Sequence, residues 1–258
     1  MAPVSAAAGV AFLLDLNVLL PSNVMPSVEQ VLRWIHFLAG ITWIGLLYFF
    51  NLVNVPVMKA LDAPTKGKVI PELLPRALWW FRWGAVVTVL AGLLYFIIIL
   101  ETDASNTSDP GIWMRWLALW LAVWVVAWAI MFFGLGVEAL TKDGRLLGVV
   151  VTVVAAAASY LALMLMADPG ASNKSLSIAV GGGMGLVMLL NVWGVIWPAQ
   201  KRIIAWTAAN AKDGTPIPPE SAKLARRAFL ASRTNAWLSI PMLFFMASAS
   251  HYPFLSGQ

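Results

Sequence analysis

The sequence predicts an all-α integral membrane protein, a bundle of about six transmembrane helices with both termini on the periplasmic side. Three observations predict it. Only 11% of the 258 residues are charged and 60% are hydrophobic, whereas a soluble domain has about 25% charged residues. Nearly uncharged runs of about 20 residues, the length a helix needs to cross hydrocarbon, recur along the whole chain. The basic residues gather in alternate connections between those runs, which is the pattern that sets orientation in a bacterial inner membrane.

Taken in order, residues 1–30 contain no Lys or Arg, and their one apolar stretch is interrupted by Asp15. A secretory signal needs a basic start, so this segment reads as a periplasmic or interfacial N-terminal stretch. The expected spans are 31–57, 78–100, 112–137, 147–167, 176–197 and 236–254. Each must be helical, because a backbone facing lipid has to satisfy its own hydrogen bonds. The connections after the first, third and fifth spans carry Lys59, Lys66, Lys68 and Arg76, then Lys142 and Arg145, then a dense basic group from Lys201 to Arg233. The opposite connections hold little beyond Arg33, Arg115 and Lys174 together with Glu101, Asp103 and Asp109. The basic side is therefore cytoplasmic. Residues 198–233 read as one basic cytoplasmic loop, in which 221–232 forms a short amphipathic helix against anionic headgroups. No second domain is visible, so 1–258 is a single transmembrane domain. Trp34, Trp79, Trp113 and Trp237 near span ends fit an interfacial aromatic belt.

The formal charge of +5 does not indicate nucleic acid, since the basic residues mark topology and form no phosphate-binding stripe. The partner surface implied by composition is the lipid bilayer. With no cysteine, disulfides, thiolate metal sites, iron–sulfur clusters and covalently attached haem are excluded for this chain. No nucleotide-binding loop, zinc-protease pattern or nucleophile elbow stands in a suitable context.

Chemistry points instead to the only two histidines, His36 and His251. Both fall inside expected spans, where an ionisable group is a functional candidate. Their positions lie about five and three residues inside the outer ends of the first and last spans, roughly 5–8 Å below the boundary at 1.5 Å per residue. Two imidazoles at one depth can ligate the iron of a b-type haem, which needs no cysteine. Ala39 and Gly40 follow His36, and Ala247 and Ser248 precede His251, so small residues share each imidazole's helix face. Arg33, one turn outward of His36, is placed to neutralise a haem propionate. Two other readings stand beside this one. Membrane histidines also serve as interhelical hydrogen-bonders, and Met242, Met246 and His251 at helical spacing offer soft donors suited to Cu(I). Toward the cytoplasmic ends, Asn51, Asn54 and Pro56 on the first span and Asn191 and Pro198 on the fifth read as interhelical glue or as a polar cavity. Gly181, Gly182, Gly183 and Gly185 mark a close helix crossing.

The stretch Leu32-Arg33-Trp34-Ile35-His36-Phe37-Leu38-Ala39-Gly40-Ile41-Thr42-Trp43-Ile44-Gly45 resembles the first-helix signature of the membrane urate oxidase (urate hydroxylase) N-terminal family. Two later stretches agree with it: Asn191-Val192-Trp193 continuing to Ile196-Trp197-Pro198-Ala199-Gln200, and Pro241 to Pro253, which ends Ser250-His251-Tyr252-Pro253. The first-helix pattern is also similar to a haem-binding protoporphyrinogen oxidase family and to copper-resistance proteins. The resemblance implies a membrane oxidoreductase domain followed, in full-length urate enzymes, by a periplasmic c-type cytochrome domain. This sequence stops at Gln258 without Cys-x-x-Cys-His, so it is expected to be a short form. Its electrons would then pass to a separate c-type cytochrome or another membrane complex. The reading from a different class is a non-catalytic accessory subunit of a larger respiratory or photosynthetic assembly.

Overall fold

The computed structural model describes residues 24–256, and the N-terminal segment expected in 1–30 lies almost wholly outside them. Among the described residues all regular structure is helical. Helix α1 (Met25–Tyr48) runs through a π-helical turn (Phe49–Asn54) into α2 (Val55–Ala60). A long α3 (Ala63–Ala104) follows, then α4 (Ile112–Gly134), a short α5 (Glu138–Lys142) and α6 (Gly144–Met166). Helix α7 (Asn173–Asn191) passes through a second π-helical turn (Val192–Ile196) into α8 (Trp197–Asp213), and α9 (Glu220–His251) closes the bundle.

Five helical stretches are long and apolar enough to cross a membrane: Met25–Ala60, Ala63–Ala104, Ile112–Gly134, Gly144–Met166 and Asn173–Asp213. The sixth expected span is helical as part of α9 but is not among the five. Thr234, Asn235, Ser239, Ser248 and His251 dilute its hydropathy, and all of these except His251 are buried against other helices. Two expected connections also turn out to be helix. Residues 58–77 were read as a basic loop, yet Lys66, Lys68 and Arg76 lie on α3, which carries Pro71 and Pro75 within it. The 198–233 loop is a helical hairpin in which α8 prolongs α7 and α9 starts at Glu220. Its turn needs Gly214, the α8 C-cap at φ 74°, because only glycine takes a left-handed backbone without a steric penalty. An Arg202–Glu220 ion pair joins the two arms.

The π-helical turns have an identifiable cause. Pro56 and Pro198 cannot donate to the carbonyl four residues earlier, and a proline ring clashes with it. Just before each proline the ladder switches to five-residue spacing: Val55 N–H bonds Phe50 O, and Trp197 N–H bonds Val192 O.

Packing runs in two close pairs, α1 against α3 and α7 against α9, joined where α3 meets α7. Helices α4 and α6 pack together on one side of this core, and α4 reaches α7. One face of α4 presents Trp116, Trp120, Trp124 and Trp128 at every fourth residue, so all four point the same way. Their indole N–H groups donate to Asp168 Oδ2 (2.7 Å), to Ala179 O (2.8 and 3.1 Å) and to Asn191 Oδ1 (3.2 Å). The Trp124 ring occupies the space a side chain at Gly183 would need. The glycines at the start of α7 therefore accommodate tryptophans as well as a crossing helix.

We call the end where α1 and α7 begin, and where α3 and α9 finish, the upper end. Two polar latches hold it. Asp103 Oδ2, at the end of α3, accepts from Ser172 N (2.9 Å) and Ser172 Oγ (2.8 Å), and Ser172 in turn caps α7. Asn173 Nδ2 donates to Ser248 O and Ala249 O at 3.2 Å, while its Oδ1 accepts from Phe254 and Leu255 N–H at 3.1 Å. The last turn of α9 is thus tied to the first turn of α7.

Candidate functional site

A cavity of about 360 Å³ lies in the upper half of the bundle, bounded by α1, α3, α7 and α9, with Trp120 of α4 reaching its lining beside Phe96. Its size is within the range of small-molecule and cofactor sites. Its walls are almost entirely apolar and aromatic, from Phe37, Trp43, Tyr95, Phe96 and Trp120. Space is made by glycines: a methyl group added at Gly45 or Gly185, both on the lining, would meet nothing within 4 Å. The exposed side chains of Phe37, Ile41 and Leu243 flank the cavity on the α1 and α9 sides. Those two helices touch each other only sparsely.

His36 is the central polar group. Its Nδ1 is 2.8 Å from Thr88 O, a carbonyl that can only accept, so Nδ1 carries the hydrogen. That fixes the tautomer in which the Nε2 lone pair is free, the arrangement a metal-ligating imidazole needs. The ring lies against Gly92: a Cβ there would sit 2.8 Å from Nδ1 and 2.9 Å from Cε1. Gly84, Thr88 and Gly92 form a small-residue stripe along α3 that lets α1 approach, and a Cβ at Gly84 would lie 3.4 Å from Ala39 O. Thr88 folds its hydroxyl back onto Gly84 O at 2.6 Å, leaving its carbonyl to His36.

The other expected site residues separate. Arg33 lines the cavity at its upper rim, with Nη2 donating to Gln30 Oε1 (2.6 Å) and the guanidinium 5.8 Å from the Tyr95 ring centre. No described carboxylate pairs with it. Gly40 also lines the cavity, but a Cβ on it would be in ordinary contact with Thr88 Cγ2 at 3.6 Å, so the site does not demand a glycine there. His251 is the last residue of α9; it is exposed, its Nδ1 donates to Ala247 O one turn back (3.2 Å), and it is not on the cavity lining. Met242 and Met246, which the sequence groups with His251, line the cavity together with His36.

Comparison with known protein families matches residues 60–258 to the urate oxidase N-terminal family. The chain belongs to that family. No curated protein and no solved structure matched in the corresponding comparisons. The match to the urate oxidase N-terminal family includes the second and third sequence motifs, and His251 with them. It begins after α1, so Arg33, His36 and Gly40 precede it.

Three contributors to this cavity escape sequence reasoning. Thr88 acts through a backbone carbonyl, which no residue type announces. Gly92 had a signal in the four-residue spacing of Gly84, Thr88 and Gly92. Trp43 is 1% exposed and lines the cavity, and its buried Nε1–H has no protein acceptor. Among the described residues no three His, Asp or Glu side chains are grouped to hold a metal ion. The side chains at the cavity able to ligate a metal are the His36 imidazole, the Met242 and Met246 thioethers and the Tyr95 phenol.

Proposed function

We propose that the chain is a membrane redox protein of the urate hydroxylase type, in which His36 ligates a b-type haem in the upper cavity. The carrying observation is the His36 Nδ1 to Thr88 O bond inside an apolar space of about 360 Å³. A bare ion needs far less room, and a macrocycle brings four of its six iron donors with it. The residues fit such a group: aromatic side chains wall the cavity, Gly92 makes room for the imidazole, and Arg33 at the rim suits a propionate. We take α9 as the sixth span, the basic connections as cytoplasmic, and the cavity as opening near the periplasmic face of the bacterial inner membrane.

Hydroxylation of urate by water releases two electrons and two protons. A bound haem would provide a one-electron acceptor beside the substrate, handing electrons to a separate c-type cytochrome or another membrane redox partner. The chain's own part is to bind and orient the group through His36 and to exclude water with Phe37, Trp43, Phe96 and Trp120. Family membership supports urate as the substrate.

A pyridine haemochrome assay with metal analysis on the purified chain tests this. Stoichiometric haem b, reducible and lost in His36→Ala, is the expected result. A colourless, folded chain overturns the proposal, and copper without haem replaces it with the soft-donor site.

A further inference from the structure

We infer that Met246 supplies the second axial ligand, so that the iron is held between an imidazole of α1 and a thioether of α9; this rests on the haem reading above. The cavity has α3 and α7 behind it and α1 and α9 at its two sides. On the α1 side the donor lies against a glycine of the helix behind it: His36 on Gly92, with 2.8 Å between Nδ1 and the position of a Gly92 Cβ. On the α9 side the same arrangement recurs. The Met246 Cε lies 2.8 Å from the position of a Gly181 Cβ and 3.7 Å from that of Gly182. Each donor therefore occupies room that a larger residue on its neighbour would deny it.

The two donors also correspond in height. The lining runs over 88–96 on α3, 178–185 on α7 and 242–250 on α9. Gly92, Gly181 and Met246 are each near the middle of those stretches, and His36 sits at the level of Gly92. Met242 is one turn lower, at the bottom of the lined stretch of α9 and on the level of the cavity floor. Tyr95, another side chain able to bind iron, lies above Gly92 on the same side as His36, beneath the Arg33 guanidinium. His251 lies beyond the upper edge of the lining with its ring turned onto its own helix. Met246 is thus the donor that faces His36 at matching depth. Histidine and methionine ligation raises the reduction potential of a haem above that given by two imidazoles, which suits a group that must accept electrons from an organic substrate.

The test uses the purified, haem-loaded chain and reads ligation rather than turnover. Near-infrared magnetic circular dichroism of the ferric protein should show the histidine–methionine charge-transfer band. Met246→Leu should keep the haem content but convert the low-spin ferric spectrum to high-spin. Met246→His should restore a low-spin spectrum of the two-imidazole type and lower the potential, which also controls for any folding defect in the leucine variant. Met242→Leu and His251→Ala should leave the wild-type spectrum unchanged. A two-imidazole signature in the wild type, or conversion to high-spin by His251→Ala instead of Met246→Leu, overturns the methionine assignment while leaving the haem reading standing. Absence of haem from the wild type overturns both.

Discussion

The upper and lower halves of the bundle are built from the same helices, yet the upper half opens a large apolar cavity while the middle of the lower half is bridged by polar side chains. Several of those side chains bond across helices, although Asn54 Oδ1, Arg82 Nε, Trp193 Nε1 and Arg227 Nε are buried there without a protein partner. Asn51 Nδ2 donates to Leu47 O and to Ser232 Oγ, each at 2.9 Å. Asn191 Nδ2 donates to Asn235 Oδ1 (2.8 Å), Asn235 Nδ2 donates to Met188 O (3.0 Å), and Tyr48 meets Ser239 at 2.9 Å. A smaller cavity of about 130 Å³ lies here, where Asn51, Asn54, Gln200 and Ser232 share a lining with Phe50, Leu78 and Phe81. Arg82 is stacked on Trp197, 3.9 Å from the ring centre. In the upper half the space is larger and apolar, and His36, held through Nδ1 by Thr88 O, is the imidazole on its lining. The bonded asparagines below and the Asp103 and Asn173 latches above fix how the helices register, and the cavity lies between them.

The sharpest way to break this comparison is His36→Ala. It should lower cofactor retention by on the order of a hundredfold or more, read by haemochrome, with little change in thermal stability, because the lower half holds the fold. Gly92→Ala should come next. A methyl group in contact with the imidazole forces it off its Thr88 partner, and losing an orienting contact of this kind lowers affinity by about 10–100-fold. An unchanged spectrum and affinity would show that the ring is not fixed there. Asn235→Ala should act in the reverse sense, sparing the cofactor site and destabilising the chain. It leaves Asn191 Nδ2 without its acceptor in an apolar interior, a loss of roughly 1–2 kcal/mol, seen as a lower melting temperature in detergent. If Asn235→Ala instead abolishes cofactor binding at unchanged stability, the division between halves fails. Arg33→Ala should have the smallest effect, a shift in potential and less than about tenfold in affinity, because the guanidinium is exposed and screened.

Much of the fold was legible because bilayers demand long apolar helices and tolerate little else. The five qualifying helical stretches lie on the expected runs. What the sequence concealed was continuity. Pro71 and Pro75 read as loop residues, but α3 runs on through both of them beyond its first turn; the basic hairpin reads as a loop because its residues are polar, yet polarity does not break a helix. The tryptophan ladder on α4 has a four-residue repeat as its signal, whereas the belt positions Trp34 and Trp237 are exposed. For the site, His36 and Arg33 were legible from their intramembrane or near-interface positions. The expected pairing of His36 with His251 rested on helix depth, on the small residues beside each imidazole and on the motifs that hold them. Depth does not say which way a side chain turns, and only His36 turns into the cavity.

The paired π-helical turns have a consequence for how this architecture can vary. Each is equivalent to one extra residue threaded into an otherwise regular helix, so each resets the rotational phase between what lies above and what lies below. Deleting one residue from Phe49–Asn54 should wind α1 back by about a hundred degrees below that point, carrying Asn51 away from Ser232 while His36 keeps its aspect. The two turns act like adjustable couplings on parallel shafts: the ligand-facing end and the anchoring end of each helix can diverge independently, and insertions or deletions among relatives should concentrate at these two places.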